Sequence, residues 1–491
     1  VDITTANEII NISLCGNTDS DDLFIEIFAP TATRVFTQSL TSGNVACNDP
    51  MTAPLTNPAQ YTATTTGTYR IILENTSETG NNDSILRRYD VTVTPPGSTD
   101  DPDPTADDGR LWAYSWNINA GAFDVSAATD ADFYALVPGG RPNTNYVWQL
   151  DLNNFAGFVY YIVANDIGVD APNSGYSTEL AGNAVTYQFP IYTSVPDVAL
   201  PQPALPPVIT DIRFIDDAGV DSGISPGDTI GVQDTGFFEF TSDVAGTYAI
   251  TIDVDGDGVF GNAGDRLLLG PVAVGANSVA WDGTDATGAT LGDGVYSARI
   301  SVRMGEYHFV AFDAETSGGT EDGLTIFLVD ETDTPQPTRV FWDDVTILGG
   351  AAGGTTTLPD GELSNTSAGR HTWGNFSGTG FGNDRFIDTY VYGFTATTST
   401  LVYVTSGDAL ITGSDGSVDI PDITVIGDAV SVTVTDSDLN NDAGIVESVG
   451  VDVINTTTGE IEQVVLTETG PNTGTFTANV PTASAVAGPN N

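Results

Sequence analysis

Short runs of alternating apolar and polar residues recur along the chain. Leu23 to Phe28 reads LFIEIF, Thr68 to Leu73 reads TYRIIL, and Tyr89 to Thr94 reads YDVTVT. A period of two places alternate side chains on one face, which is typical of a half-buried β-strand. Clusters of Asn, Gly, Ser and Thr separate the runs and indicate turns. The pattern predicts an all-β fold built from β-sandwiches.

Domain boundaries are expected where this alternation stops. Residues 95–110 are rich in Pro and Asp and have no apolar periodicity, so we predict a linker there. Prolines recur over residues 196–207 and remove backbone donors that a strand ladder needs, which predicts an extended spacer. The other predicted parts are a β-sandwich at 1–94, an aromatic-rich β domain at 111–195, sandwiches at 208–335 and 401–491, and a Gly- and Asn-rich β region at 336–400.

Two segments resemble modules of known families. Residues 281–300 contain WDGTDATG and then LGDGVYSARI, and they resemble the Ig-like module of the flagellar hook-capping protein, where a WDG-x-D-x-x-G hairpin leads into a G-x-Y strand. Residues 429–480 contain VTVTDSDLN and ETGPNTGTF, and they resemble a module found in tandem in large bacterial surface proteins. These resemblances imply a string of Ig-like domains and an extracellular position on a bacterial cell surface. They transfer no catalytic residue.

The charge balance limits the expected partners. The 491 residues include 13 basic residues, all of them Arg, against 66 Asp and Glu, which gives a formal net charge of −53. A polyanion repels phosphates, so a nucleic-acid partner is excluded and an anionic membrane surface is disfavoured. No run approaches the ~18 consecutive apolar residues of a spanning helix, so we expect no membrane insertion. A lysine-free, acidic surface favours an exported protein.

The clearest candidate site is an acidic loop that begins DVDGDGVF at Asp253. Acidic residues at positions 1, 3 and 5 with glycine at position 6 are typical of loops that bind Ca²⁺ through carboxylate oxygens. Position 12 is Gly264 where an EF-hand has a bidentate Glu, so we expect a calcium-bound turn between strands. The alternative is a hairpin tip that its charge keeps soluble. The predicted ligands are Asp253, Asp255, Asp257, Val259 through its carbonyl, Asn262 and Asp265.

A second acidic group follows a predicted strand near the end of the chain. It comprises Asp436, Asp438, Asn440 and Asp442, with Glu468 as a further candidate ligand. Calcium is the predicted ion here too, because the donors are again hard oxygens. The alternative is a solvated strand edge, since acids at period two often face water.

Two kinds of residue are candidates for covalent modification. Cys15 and Cys47 lie 32 residues apart, and a disulfide between them would stabilise the first domain by ~3 to 4 kcal/mol on the chain-entropy model. The alternative is two buried free thiols. Six Asn-x-Ser/Thr sequons occur, Asn75 and Asn365 among them. They leave glycosylation open, because a chain rich in Asn and Thr contains such triplets by chance.

Patterns that resemble enzyme motifs lack required parts. Gly223 to Gly227 spells G-x-S-x-G, but Pro226 follows the serine and has no N–H for an oxyanion hole. The chain has two histidines and no H-E-x-x-H motif, so neither zinc hydrolysis nor Ser-His-Asp chemistry is supported. The sequence therefore predicts a protein that is not an enzyme.

Two clusters are candidate ligand-binding sites. Trp112, Tyr114 and Trp116 alternate along a predicted strand, so they would present three rings to a sugar or form a buried sheet face. His371 and Trp373 lie near acids and arginines in the sequence. There we expect either a binding site or a structural Arg-Asp network.

These features predict a non-catalytic extracellular structural protein of a bacterial cell surface, stiffened by calcium. A filament or fibre subunit, an adhesin stalk and a surface-layer component all fit. The predicted partners are copies of the same chain, joined when residues 1–14 add a strand to an open sheet edge. The alternative is a secreted polysaccharide-binding protein or carbohydrate-active enzyme that recognises surface glycans.

Overall fold

The fold is seen in a computed structural model that describes most of the chain. The described residues are 1–17, 23–40, 59–75, 85–98, 107–118, 130–153, 155–156, 160–169, 175–197, 204–217, 223–226, 232–312, 315–316, 323–330, 332–344, 361–372, 374–375, 385–405, 416–421, 427–440, 444–455 and 461–482. Within these ranges every regular element is a β-strand. The predicted all-β fold class is therefore confirmed. In the same ranges we find no helical segment with the length and apolarity needed to cross a bilayer.

The chain divides into two compact units, and each unit is assembled from two separate segments. Unit 1 comprises Val1–Leu205 and Gly305–Gly393, and unit 2 comprises Pro206–Met304 and Phe394–Asn491. The chain therefore leaves one unit for the other after Leu205, after Met304 and after Gly393. Within each unit, strands that are far apart in the sequence pair with one another.

The strands are numbered in chain order. The first segment of unit 1 contains β1 Asp2–Ile3, β2 Ile9–Asn17, β3 Leu23–Phe28, β4 Arg34–Leu40, β5 Ala59–Thr62, β6 Gly67–Thr68, β7 Arg70–Asn75, β8 Ile85–Thr94, β9 Trp112–Ala113, β10 Ser115–Ile118, β11 Asp130–Pro138, β12 Asn145–Asn153, β13 Phe155–Ala156, β14 Tyr160–Asn165, β15 Thr178–Glu179 and β16 Ile191–Tyr192. The first segment of unit 2 contains β17 Ile209–Asp216, β18 Gly223–Ile224, β19 Gly236–Ser242, β20 Gly246–Asp253, β21 Arg266–Val272, β22 Gly275–Trp281 and β23 Gly294–Arg303.

The second segment of each unit follows. That of unit 1 contains β24 Tyr307–Phe312, β25 Glu315–Thr316, β26 Gly323–Val329, β27 Pro335–Pro337, β28 Arg339–Phe341, β29 Glu362–Leu363, β30 Gly374–Asn375 and β31 Arg385–Val391. That of unit 2 contains β32 Thr395–Val404, β33 Ser417–Asp419, β34 Val430–Thr435, β35 Ser448–Ile454, β36 Ile461–Glu468 and β37 Thr475–Val480.

Two three-stranded sheets form the N-terminal sandwich of unit 1. Their strand orders are β5-β2-β8 and β4-β3-β7, and β1 pairs with β6. Ile10 and Ile12 of β2 meet Ile25 and Ile27 of β3 in one buried cluster. These isoleucines stand at alternate positions, so the period of two determines which face of each strand enters the core.

Residues 1–14 belong to this sandwich and do not form a free donor strand. On β2, Ile10 lies opposite Tyr61 of β5 on one side and Val93 of β8 on the other. The N-terminal amine donates a hydrogen bond to the carbonyl of Tyr69 at 2.8 Å. Because β2 is bonded along both edges, the predicted strand addition through this segment would require the sandwich to open.

Two larger sheets form the second sandwich of unit 1. One has the order β10-β14-β24-β31-β28-β29, with β15 added to β31, and the other has the order β27-β26-β12-β11-β16-β9. Aromatic rings join the two sheets, since Trp116 lies 6.2 Å from Phe133 and Tyr146 lies 5.8 Å from Tyr307 between ring centroids. A short third sheet has the order β13-β25-β30. These four rings therefore pack between the two sheets.

The second sandwich does not follow the predicted domain boundaries. β24 pairs with β14 and β26 pairs with β12, so residues 307–329 complete sheets begun in the aromatic-rich region. The predicted domain at 208–335 is thus divided after Met304. The predicted region at 336–400 contributes β28, β29 and β31 to this sandwich, β30 to the short third sheet and most of β32 to unit 2. Alternation identifies a strand and its buried face, but it does not identify the neighbouring strand.

A third sandwich opens unit 2. A three-stranded sheet of order β17-β19-β22 packs on a five-stranded sheet of order β18-β32-β23-β20-β21, and they share one core. The ring of Phe214 lies 4.7 Å from that of Phe238 and 6.1 Å from that of Trp281. Ile250 and Ile300 are buried in the same core. The WDG segment therefore begins with a core tryptophan at the end of β22.

The last described element of unit 2 is a five-stranded sheet of order β33-β34-β37-β36-β35. Its buried cluster includes Val432, Leu466 and Phe476, which come from three different strands. Tyr403 of β32 packs against this cluster and its hydroxyl donates to the carbonyl of Gly450 at 2.7 Å. This contact joins the sheet to the preceding sandwich within unit 2.

Candidate functional site

The acidic loop predicted to bind calcium connects two paired strands. β20 ends at Asp253 and β21 begins at Arg266, and these strands form an antiparallel ladder. The loop is therefore the tip of a β-hairpin. Strands flank it, as the glycine at position 12 indicated, and the helices of an EF-hand do not.

The carboxylate of Asp253 holds the first half of the loop. It accepts hydrogen bonds from the backbone N–H groups of Gly256 at 2.8 Å and Gly258 at 3.0 Å. Both glycines have positive φ, at 71° and 77°, a conformation that is costly for residues with a Cβ. The glycines thus allow the backbone to curl around one buried aspartate.

The carboxylate of Asp265 holds the second half in the same way. It accepts from the N–H of Val254 at 3.0 Å and from the N–H of Gly261 at 2.8 Å. Asp265 is 6% exposed and Asp253 is 4% exposed, so both carboxylates are almost completely withdrawn from water. Burying an ionised carboxylate is costly unless hydrogen bonds or a cation compensate.

Three carboxylates converge in this loop. Oxygen atoms of Asp253, Asp255 and Asp265 lie within 4.8 Å of one another, and no other described group of three acids, histidines or cysteines does so. Asp255 is exposed, and it faces the two buried carboxylates from the solvent side. None of the described ion pairs reaches these aspartates. The cluster therefore concentrates negative charge without a basic side chain to offset it.

The remaining predicted ligands lie around this cluster. The side-chain amide of Asn262 donates to Asp255 at 3.3 Å and to Asp257 at 3.1 Å. Its Oδ1 atom is buried and makes no hydrogen bond. Val259 is exposed at the tip, and its N–H donates to Asp257 at 2.7 Å. Carboxylate and amide oxygens of this kind suit Ca²⁺, which prefers hard oxygen ligands.

The second predicted metal group forms turns in the described residues. Asp436 accepts from the N–H of Asp438 at 2.9 Å, and the amide of Asn440 donates to Asn472 at 2.7 Å. Glu468 accepts from the N–H groups at 473 and 474, and these bonds help to lower its pKa. Its carboxylate thus closes a local turn and is not directed to the other acids. Asp442 lies outside the described residues.

His371 is buried in a polar network and does not face solvent. Its Nε2 lies 2.9 Å from the carboxylate of Asp344, and its Nδ1 lies 2.6 Å from the hydroxyl of Thr389. The ring stacks on Trp342 with centroids 4.5 Å apart. Thr389 is itself buried, so no substrate reaches the hydroxyl in this structure. Trp373, the predicted partner of this histidine, lies outside the described residues.

His308 is enclosed by two acids. Its Nδ1 lies 2.8 Å from Asp388, its Nε2 lies 2.8 Å from Glu306, and the ring stacks on Tyr390. Burial alone would lower the pKa of this histidine, but attraction to Asp388 and hydrogen bonds to both acids raise it to about 9. Both ring nitrogens therefore carry protons at neutral pH and donate to carboxylates. In the sequence, this cluster is marked by nothing more than a histidine within an apolar run.

The three predicted sugar-stacking aromatics do not share one face. Trp112 lies on β9 and Trp116 on β10, which belong to different sheets, and Tyr114 stands at the bend between them. The indole N–H of Trp116 donates to the carbonyl of Ile191 at 2.8 Å. Tyr114 alone of the three is exposed. A flat platform of three rings is therefore not formed.

A buried hub surrounds Arg110, at the end of the predicted linker. Its guanidinium lies 3.3 Å from Glu8, 3.1 Å from Asp197 and 3.8 Å from Asp107. Arg110 is 5% exposed, and burial raises the pKa of Asp107. The same arginine donates to the backbone carbonyl of Asp2 at 3.1 Å. Three chain segments that are far apart in the sequence thus share one cation.

The predicted disulfide involves Cys15 and Cys47. Cys15 lies on β2, and Cys47 lies outside the described residues. The disulfide stays a prediction.

Comparison with known proteins adds little to this geometry. No family model matches the chain, and no curated protein matches it. One solved structure with a weak similarity is Escherichia coli alpha-2-macroglobulin activated by porcine elastase, with 8% identity and a TM-score of 0.12. The alignment covers 98% of this chain and 49% of that chain. A TM-score of 0.12 is too low to support an inference about fold or function.

Proposed function

We propose that the chain is a non-catalytic structural protein of a bacterial cell surface, built from β-sandwiches and stabilised by calcium. A filament or fibre subunit, an adhesin stalk and a surface-layer component are the forms that fit this role. The proposal combines the all-β sandwiches with the acidic, lysine-free composition and the resemblance of two segments to surface-protein modules.

One observation carries the non-catalytic part of the proposal. Both histidines, the side chains best suited to acid-base chemistry near neutral pH, are buried and bonded to neighbouring side chains. His308 joins β24 to Asp388 of β31, and His371 joins Asp344 to Thr389 of β31. Side chains used in this way stabilise strand pairing and are closed to a substrate.

The acidic loop supports the calcium part of the proposal. The carboxylates of Asp253, Asp255 and Asp265 and the amide oxygen of Asn262 would hold the ion. Bound Ca²⁺ would supply positive charge where three carboxylates converge. The protein groups then orient the loop, because Asp253 and Asp265 also accept from backbone amides. The ion would thus fix the hairpin tip in one conformation.

Electron microscopy of the purified full chain tests this function. Negatively stained protein in millimolar Ca²⁺ is expected to show fibres, sheets or regular arrays. Chelation with EGTA is expected to disorder them or to lower their melting temperature. Immunogold labelling of intact cells is expected to decorate the cell surface. Particles that remain single at high concentration and label confined to the cytoplasm would refute the proposal.

A further inference from the structure

The six sequons differ in how much of each the structure describes. They begin at Asn11, Asn75, Asn82, Asn365, Asn375 and Asn455. The asparagine side chain is described at three of these positions, Asn11, Asn365 and Asn455. A sequon accepts a glycan only where the side-chain amide of its asparagine is accessible at the protein surface.

Asn11 is closed to modification in the folded protein. It lies in the middle of β2 and is 1% exposed. Its amide donates to the hydroxyl of Thr94 at 3.1 Å, and its Oδ1 accepts from Gln60 at 2.8 Å. A glycan at this position would have to break the pairing of the central strand.

Asn365 has the opposite environment. It follows β29 in a tight turn, and Asn365, Thr366 and Ser367 are all exposed. Thr366 holds the turn, because its N–H and its hydroxyl donate to the carbonyl of Leu363 at 3.0 Å and 2.7 Å. Neither Asn365 nor Ser367 makes a hydrogen bond within the described part of the chain. The turn therefore presents the acceptor amide and the sequon hydroxyl to solvent together.

An exposed aliphatic side chain lies beside the Asn365 sequon. Leu363, two residues before Asn365, is 43% exposed. Isolated apolar side chains are common on surfaces, but a glycan at Asn365 would cover this one and add hydration.

We propose that Asn365 is an N-glycosylation site and that its glycan covers Leu363. The proposal rests on the proposed function, because export would bring the chain to a lipid phosphate that carries a glycan. In the transfer, Nδ2 of asparagine forms a bond to the anomeric carbon of the sugar. The bond from that carbon to the phosphate oxygen breaks, the lipid phosphate leaves with the bonding electrons, and Nδ2 releases one proton.

Peptide mapping by mass spectrometry of the protein isolated from its own cells tests this assignment. The peptide with Asn365 is expected to carry a glycan mass, and the peptide with Asn11 is expected to be unmodified. Unmodified Asn365 would overturn the proposal. A glycan on Asn11 would overturn the argument that exposure in the folded protein selects the sites.

Variants of the sequon hydroxyl sharpen the test. Ser367→Ala is expected to remove one glycan from the intact mass. Ser13→Ala is the matched control, since it deletes the hydroxyl of the Asn11 sequon and is expected to change nothing beyond one oxygen. Immunogold labelling of the same cells separates the two proposals. Unmodified protein at the surface would refute glycosylation alone, whereas unmodified protein inside the cell would refute both.

Discussion

Each unit buries a cluster of carboxylates, and the two clusters are neutralised differently. In unit 1, the guanidinium of Arg110 lies among Glu8, Asp107 and Asp197. In unit 2, Asp253 and Asp265 accept from backbone N–H groups, and no described ion pair includes them. Backbone amides contribute partial charges, whereas a guanidinium contributes a full one. The first cluster is offset by an arginine of the chain itself, whereas under the proposed function the second is offset by calcium from solution.

The difference gives two kinds of stability. The Arg110 hub should be insensitive to chelators but sensitive to loss of a single side chain. The acidic loop should respond to the concentration of free calcium. The net charge of −53 means that repulsion among acids opposes a compact fold of this chain. Both the Arg110 hub and the acidic loop therefore bear on its stability.

The largest effect is expected for Arg110→Ala. It leaves the buried Glu8 and the partly buried Asp197 without their cation, and removal of one partner from a buried pair costs about 3–5 kcal/mol. The measurement is the free energy of unfolding of the purified chain in urea, with calcium present and with EGTA. The loss is expected to be the same in both solutions.

Arg34→Ala is the matched control for that variant. Arg34 also pairs with an acid, Glu26, but its side chain is 57% exposed, against 5% for Arg110. Exposed pairs contribute about 0–1 kcal/mol. Equal losses for the two variants would show that burial does not make the Arg110 hub important.

The next largest effect is expected for His308→Gln, at about 3 kcal/mol, because Asp388 loses its buried cation. The pKa of His308 is about 9 in the folded chain, above its ordinary 6.5, so its stabilisation is complete below about pH 6.5 and is lost as the pH rises through 9. The stability difference between the parent protein and His308→Gln, measured from pH 6 to 10, should therefore shrink as the pH rises.

The stability difference between the parent protein and His308→Gln is the proper readout, because another group titrates in the same pH range. Burial lowers the pKa of the N-terminal amine of Val1 from 8.0 to about 6, so its contribution to stability falls as the pH drops from 8 to 6. That contribution is common to both proteins and cancels. A stability difference that stays constant up to pH 10 would contradict a protonated His308.

Calcium binding is expected to stabilise unit 2 by about 2.7 kcal/mol when free calcium exceeds the dissociation constant a hundredfold. Asp255→Asn should abolish this gain, because it removes one of the three clustered carboxylates, while the amide oxygen can still accept the N–H of Asp257 that Asp255 accepts at 3.2 Å. Calorimetry with calcium and with EGTA measures it. Asp282→Asn is the control, since Asp282 is an exposed turn residue that bonds to Thr284, and it should leave the calcium response intact. A parent protein whose melting temperature ignores calcium would refute the site.

The smallest effect is expected for Asp436→Ala. Its carboxylate accepts from the N–H of Asp438 within a turn, and loss of one such bond costs about 0.5–1.5 kcal/mol. The loss should be equal with calcium and with EGTA in the same calorimetric experiment. A calcium-dependent loss would restore the predicted second metal site.

Local patterns in the sequence were sufficient for some features and not for others. The acidic loop could be predicted because its ligands lie within 13 consecutive residues, and the glycines that shape it are among them. Alternation also predicted the strands and their buried faces. Such features depend on neighbours along the chain, which a sequence displays directly.

Features that depend on distant neighbours could not be predicted. His371 meets Asp344 across 27 positions, and Arg110 meets Glu8 across 102. The division of the predicted 208–335 domain has the same cause, because β26 pairs with β12 rather than with a strand close to it in sequence. The aromatic trio failed as a platform because the chain bends at Tyr114, between two sheets, where alternation predicted one continuous strand.

The three passages of the chain between the units constrain its biosynthesis. On a ribosome, β12 and β14 emerge long before β24 and β26, so unit 1 has to wait, with exposed strand edges, until residues near 391 have been made. A fragment ending at Met304 would keep the β11–β12 and β10–β14 pairs, but it would lack β26, the other neighbour of β12, and β24, the other neighbour of β14. Each unit is encoded by two separate stretches of the gene. Transfer of one contiguous stretch to another gene would therefore carry only part of a unit and leave strands without their sheet neighbours.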